Sequence, residues 1–370
     1  MKQKGVVKLK AVILAGGFAT RLRPLSCTRP KTLFPLVNKP LLQWIFERLK
    51  QSDVSEAILA VNRLTAFYIR QHTIHRHGLH IKFSYDPPRK PLGTAGPIKH
   101  AERSIGRTEP FLVLNGDIFA DLNYKDIIKS HIKKNAWATI ALCKIEDPSR
   151  YGVAEITDDG RITRFIEKPP KGTAPSNLIN AGVYVLSPEV LQLIPEGRNV
   201  SMEREVFPRL AAEGKLYGHH VEGLWMDVGK PEEYLETNRI LLDTFYKNQN
   251  RKTKGNFDLK KPVALAKKVS VGEKSVIGPY AVLGENVSVG KNTRILNTVV
   301  FSGTQIGDSV SIEGSIIGEG AVIGENVRIG KGCIVADQAV IKEGVKMEED
   351  VVVCPAKEVS EKMLKCKTIR

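Results

Sequence analysis

A chain of 370 residues with 42% hydrophobic and 26% charged side chains has the composition of an ordinary soluble protein with room for two domains. No apolar run reaches the roughly 18 residues that span a bilayer, and the N-terminus lacks a signal-peptide core, so no membrane association and a cytoplasmic location are expected. A net charge of +16 can mean nucleic acid, an anionic membrane or phosphorylated substrates; its dispersal along the chain, without an aromatic-interleaved basic strip, argues against nucleic acid and reads first as a solvated basic surface. The cysteines Cys27, Cys143, Cys333, Cys354 and Cys366 form no CxxC pair, which points to free thiols rather than zinc.

Up to about residue 240, short apolar runs alternate with helical patterns. Ala11–Leu14, Ala57–Val61, Ile81–Ser84 and Phe111–Leu114 read as buried strands. Leu41–Gln51, Thr65–His77, Thr94–Ser104 and Tyr124–Asn135 read as helices between them. This order predicts an α/β, doubly wound, mainly parallel sheet whose ligands bind at the carboxyl ends of the strands. Gly152–Ile156, Ile162–Glu167 and Ala181–Leu186 alternate more like antiparallel strands.

The first strand runs into KAVILAGGFATRLRPLSCTRPKTLFPL, with a Gly16-Gly17 pair followed by Arg21, Arg23 and Lys31. Glycines let backbone N–H groups approach phosphates, and the cations neutralise them. The loop is neither a Walker A sequence nor a dinucleotide fingerprint.

Residues 242–262 are polar, basic and aperiodic, and read as a helix end and linker. A six-residue aliphatic repeat then begins at Leu265, Val271, Ile277, Leu283, Val289 and Ile295. It resumes after a one-residue slip at Val300, Ile306 and Ile312. After a second slip it continues at Ile317, Ile323, Ile329, Val335, Ile341, Met347 and Val353. Such hexads predict a parallel β-helix of about five coils. The expected domains are 1–241, a linker 242–262, a β-helix 263–356 and a terminal helix or tail 357–370.

AGGFATRLRP, RPKTLFPLVNKP, PLGTAGP, LNGD, SRYGVAEI, FIEKP, INAGVYV, SMEREVFP and WMDVGKPEEYL together resemble the sugar-nucleotide nucleotidyltransferases, from Lys10 to about Leu242. The resemblance implies a Rossmann-like nucleotidyltransferase domain followed by a left-handed β-helix. It also implies that an NTP and a sugar 1-phosphate give an NDP-sugar and pyrophosphate, with Mg²⁺ as cofactor. By that resemblance Arg21, Lys31 and Asp117 are catalytic. Leu14, Ala15, Gly16, Gly17, Arg21, Asp86, Gly93, Thr94 and Asp117 bind the nucleotide. Gly152, Glu167, Lys168 and Asn180 bind the sugar phosphate, and Asp117 and Asp227 bind the metal.

These residue types suit the chemistry. The sugar phosphate is already an anionic nucleophile, so the task is to position two polyanions and stabilise a leaving pyrophosphate. Arg23 reads equally as a loop ion-pair partner, and Asp86 as the opening of a Pro-Pro turn. An ionised Asp86 would accept from the adjacent N1–H and N2–H₂ of guanine, favouring GTP, and the resemblance carried by INAGVYV, SMEREVFP and WMDVGKPEEYL implies mannose 1-phosphate with GTP. Glucose 1-phosphate with dTTP or UTP is the alternative.

The family has Gly where this chain has Ala19, which at positive φ would cost about 1 kcal/mol in strain. A non-catalytic regulatory subunit of the same fold is a further reading, with Ala19 in its favour. Acyl transfer on the β-helix is disfavoured, because all histidines lie at or before His220. A homo-oligomer packed through the β-helix is expected.

Overall fold

The computed structural model describes residues 9–17, 19–72, 77–87, 91–247, 255–362 and 366–369. They form two compact units. The first holds residues 9–17 and 41–226; the second holds the loop 19–40 and everything from Asp227 onward.

In the first unit, strand β1 (Lys10–Leu14) is followed by helix α1 (Leu41–Gln51), β2 (Glu56–Val61), α2 (Arg63–Gln71) and β3 (His80–Tyr85). Then come α3 (Gly96–His100), α4 (Glu102–Ile105), β4 (Phe111–Asn115), β5 (Ile118–Asp121), α5 (Tyr124–Lys134), β6 (Ala138–Lys144), β7 (Gly152–Ile156), β8 (Ile162–Glu167) and β9 (Leu178–Leu186). Helix α6 (Phe207–Ala212), β10 (Leu216–His220) and β11 (Leu224–Asp227) complete it. A nine-stranded sheet runs β8-β7-β9-β4-β1-β2-β3, with β6 paired to β9 and β10 to β6. Strands β3, β2, β1 and β4 are parallel, whereas β9 is antiparallel to β4, β6 and β7.

The parallel half has continuous apolar strands because both faces are covered. Ala11, Val12 and Ile13 are fully buried, as are Ala57, Ile58 and Leu59. Helix α2 starts where Asn62 ends the apolar run and caps Thr65 N–H at 2.7 Å. The expected helix Thr94–Ser104 is divided in two, since Ala101 breaks the run between α3 and α4. The helix expected over Thr65–His77 starts earlier, at Arg63, and ends at Gln71; residues 73–76 lie outside the described residues.

In the second unit, helix α7 (Pro231–Phe245) runs past the expected boundary at 241, because Leu241 and Leu242 are fully buried. The middle of the expected linker, 248–254, lies outside the described residues. The coils begin earlier than expected, with Asp258–Leu259 paired to Val276–Ile277. Short parallel strands stack into three faces of six, seven and six strands, more than the expected five coils supply. This is the arrangement of a parallel β-helix, consistent with the left-handed form.

Register follows the hexads. Leu265 pairs with Leu283, then Val300, Ile317, Val335 and Val353, a step of 18 or 17 residues. The two slips are therefore coils one residue shorter. The aliphatic positions from Ile277 onward form one buried core. The expected terminal helix or tail is corrected: Glu358–Val359 and Thr368–Ile369 pair in parallel with earlier coils, because Val359 has the next apolar slot to fill.

Candidate functional site

In the first unit, the loop after β1 is tied down on both sides. Ala15 N–H donates to Ala60 O at 2.9 Å, and Leu14 O accepts from Gly116 N–H at 2.9 Å. Gly16 O accepts from the Asn62 side chain at 3.0 Å. Ala15 N–H is thus spent on the fold, and no hydrogen bond within the described residues uses the N–H of Gly16 or Gly17. A Cβ on Gly16 would lie 2.6 Å from Asp86 Oδ2, so only glycine lets this carboxylate reach the loop. Gly17 faces open space.

Asp86 follows β3 and is anchored by its N–H to Val61 O at 2.9 Å. Its Oδ1 is buried with no hydrogen-bond partner among the described residues. Burial raises its pKa above the usual carboxylate range, and His100 only partly offsets this. A buried acceptor without a donor costs stability unless a ligand supplies one.

Gly93 and Thr94 sit on the neighbouring loop, where Ala95 N–H and Val200 O bond at 2.9 Å. The Thr94 hydroxyl is engaged by protein, donating to Glu203 Oε2 at 2.6 Å and accepting from Met202 N–H at 2.9 Å. Asp117 follows the Asn115-Gly116 end of β4.

Gly152 stands opposite Glu167 in the β7–β8 ladder, and a Cβ on it would crowd Glu167 Oε2 at 2.9 Å. The Glu167 side chain is 15% exposed, and Lys168 Nζ lies 3.3 Å from it. Burial raises the Glu167 pKa; Lys168 opposes the shift and the Glu203 carboxylate adds to it. Lys168 is held at φ 51 by its N–H to Tyr151 O at 3.0 Å. Asn180 sits at a bulge in β9; its amide donates to Tyr184 OH at 3.0 Å and accepts from Gly182 N–H at 2.8 Å. Both ends of Asn180 therefore serve the bulge. Asn62, Tyr184 and Glu203 were not singled out from sequence, although a polar residue ending an all-apolar strand was a signal for Asn62.

In the second unit, the loop 19–40 is a string of single 3₁₀ turns at Thr20–Leu22, Leu25–Cys27 and Lys31–Leu33. Ala19 has φ 45 and ψ 46, the left-handed conformation that the substitution for glycine put in question. The Arg21 guanidinium lies against Gly229, where a Cβ would be 3.0 Å from Nη2. Gly229 is thus a close-approach glycine. Lys31 is 6% exposed, with Nζ 3.5 Å from Asp227 Oδ1. Arg23 is exposed beside Arg21. Among the described residues no group of three or more His, Cys, Asp or Glu is placed to hold a metal. No helix there is long and apolar enough to cross a membrane.

The nucleotidyl transferase family model matches residues 10–244, and a GMPPB C-terminal domain model matches 259–369. The chain belongs to the nucleotidyl transferase family. This family member is 43% identical over 229 residues to the mannose-1-phosphate guanylyltransferase catalytic subunit beta of Danio rerio, covering 61% of this chain and 63% of that protein. It is 38% identical over 246 residues to a mannose-1-phosphate guanyltransferase of Aspergillus oryzae, covering 66% and 67%. The match thus spans slightly under two thirds of the vertebrate relative. Among solved structures it is similar to HddC from Yersinia pseudotuberculosis, complexed with GMP-PN, at 29% identity and a TM-score of 0.54, covering 63% of this chain and 99% of that one.

Proposed function

We propose that the protein transfers a guanylyl group from GTP to mannose 1-phosphate, forming GDP-mannose and pyrophosphate. The names of the similar proteins support the reaction, and the HddC complex supports a guanine nucleotide. The observation that carries the choice of base is Asp86. Its carboxylate lies beside Gly16 through Oδ2, and its buried, unpartnered Oδ1 is an acceptor that needs an N–H donor. Guanine offers two adjacent ones; uracil and thymine offer one between two carbonyls.

An oxygen of the sugar phosphate attacks the α-phosphorus, and the bond to the β-phosphate oxygen breaks as pyrophosphate leaves. No general base is required, because the nucleophile is already ionised. Gly16 and Gly17 offer backbone N–H groups to the nucleotide. Arg21 neutralises the β- and γ-phosphates. Lys31, whose ammonium is already desolvated beside Asp227, stabilises charge at the α-phosphate. Glu167 accepts from sugar hydroxyls and Lys168 holds the sugar phosphate.

Asp117 and Asp227 are the carboxylates we assign to Mg²⁺. The donor set fits, since Mg²⁺ usually takes one or two carboxylates and fills its shell with phosphate oxygens and water. Lys31 beside Asp227 marks that carboxylate as one that attracts a cation. When bound, the ion supplies charge neutralisation and orients the two phosphates.

The test is pyrophosphate release by the full chain with Mg²⁺, four NTPs and the 1-phosphates of mannose, glucose and N-acetylglucosamine. GTP with mannose 1-phosphate is expected to have the highest kcat/KM. A preference for dTTP with glucose 1-phosphate would overturn the guanylyl reading, and no turnover with any pair would overturn the transferase itself.

A further inference from the structure

Between Arg23 and Lys31 the loop carries a fourth cation, Arg29. Arg29 is 9% exposed and is gripped by coil residues. Its Nη2 lies 2.8 Å from Asp337 Oδ2 and 2.5 Å from Glu319 Oε2, and its guanidinium sits 4.9 Å from the Phe301 ring centroid. Thr28 Oγ1 donates to the same Asp337 oxygen at 2.6 Å. The other Asp337 oxygen accepts from Glu319 N–H at 2.8 Å, which locks the carboxylate onto its own coil. Asp337 therefore faces three donors while 6% exposed.

The loop has little means of ordering itself. Up to Phe34 its internal bonds are local turn contacts: Leu22, Arg23, Cys27, Leu33 and Phe34 N–H each donate three residues back, and the Ser26 and Thr28 hydroxyls donate to Ala19 O and Leu25 O; only Pro35–Leu36 and Lys39–Pro40 pair as a short ladder. Its order comes from outside: Asp337 and Glu319 at Thr28-Arg29, then Phe34 packed edge-on against Tyr234 and Phe301, then Asn238 Oδ1 accepting Val37 N–H at 2.8 Å. The clasp lies only two residues before Lys31. Arg29 is joined through Pro30 to the turn Lys31–Leu33, so the clasp fixes the backbone from which Lys31 extends.

We propose that Asp337, with Glu319, is a positioning group of the transferase. Through Arg29 and Thr28 it sets the loop that presents Arg21 and Lys31 to the triphosphate, so the β-helix takes part in catalysis without touching substrate. This rests on the function proposed above. Carboxylates hold the clasp because the single Nη2 of Arg29 donates to both of them, charge-assisted bonds that fix the guanidinium in direction as an apolar contact cannot.

The experiment compares Asp337→Asn with Asp308→Asn in the full chain. Asp308 makes the same kind of coil bond, accepting Lys291 N–H at 2.7 Å, but no bond to the loop. Asp337→Asn keeps the acceptor for Glu319 N–H and removes the charge facing Arg29. It is expected to lower kcat and raise KM for GTP, together costing about 10- to 100-fold in kcat/KM. KM for mannose 1-phosphate is expected to stay within about twofold of the wild type, as are all the constants of Asp308→Asn. Backbone hydrogen exchange over residues 19–36 is expected to quicken in Asp337→Asn alone.

Equal losses for both substrates, or unchanged exchange over 19–36, would overturn the proposal. If the wild type turns over no pair, the transferase reading fails on its own. The exchange comparison, with the affinity for inorganic pyrophosphate, then decides whether the clasp holds a phosphate-binding loop: weaker binding in Asp337→Asn supports it and equal binding overturns it. If Asp337→Asn does not fold, Glu319→Gln removes the half-exposed partner and is read by the same measurements.

Discussion

The strand ends of the first unit and the coils of the second treat buried polar groups in opposite ways. In the coils, five buried hydroxyls or thiols donate to a carbonyl 14 or 15 residues further on, Ser275 to Gly290, Thr293 to Gly307, Thr304 to Gly318, Ser315 to Gly330 and Cys333 to Glu348, while Thr298 donates to Leu296 O. No described coil side chain has a buried nitrogen or oxygen without a hydrogen bond. At the strand ends, Asp86 keeps an unpartnered buried oxygen, and burial raises the pKa of both Asp86 and Glu167. The buried side chains of the coils have all their partners within the protein, whereas Asp86 keeps an acceptor whose donor has to come from elsewhere. Buried side-chain atoms without a hydrogen bond also occur away from the proposed site, at Arg48 and Glu56, so Asp86 stands out by its place beside the Gly16 loop rather than by lack of a partner alone.

The largest effect is expected from Lys31→Ala. Removing a desolvated cation from the α-phosphate should lower kcat by about 10²–10³-fold in pyrophosphate release, while the melting temperature changes little. A fall in stability with unaltered kcat would return Lys31 to the scaffold.

Asp86→Asn should lower kcat/KM for GTP by about 10–100-fold and erode the preference over UTP. It should also stabilise the folded protein at pH 7. The pKa of Asp86 is raised in the fold, so its contribution to stability is full below the unfolded value and is lost as pH rises through the folded one. Melting curves at pH 4 and pH 7 should show the gain of the variant only at the higher pH. For the same reason the acid limb of the wild-type kcat/KM should begin above the usual carboxylate range and flatten in the variant.

Thr304→Val is the mirror experiment in the coils. It removes a donor that bonds Gly318 O at 2.9 Å inside the core and should cost about 1–3 kcal/mol in denaturant unfolding, with kcat unchanged. The smallest effect is expected from Ala19→Gly. Relief of left-handed strain, less the added freedom of the unfolded chain, should stabilise by about 0.5–1 kcal/mol and leave kcat equal or slightly higher.

The legible part of the fold was the part written in local periodicity. Gly152–Ile156, Ile162–Glu167 and Leu41–Gln51 have the expected bounds to the residue, because burial on one or two faces imposes a period that neighbours report. The hexads even locate the two short coils. The site was legible through the glycines and charged residues at strand ends. Their partners were not: Thr94 is engaged by Glu203, and Asn180 by Tyr184 and Gly182, choices made by side chains far along the chain.

By itself, then, the sequence determined the alternation of strands and helices, the coil register and the set of charges at the strand ends, because each follows from residues a few positions apart. Only the tertiary structure decided that Ala19 adopts positive φ, that one Asp86 oxygen is buried without a donor, and that Arg29 meets Asp337 across 308 positions. Periodicity states which side chains must leave water. Which atoms then meet depends on the packing of the whole chain, and it is there that an acceptor is left open or a loop is held in place.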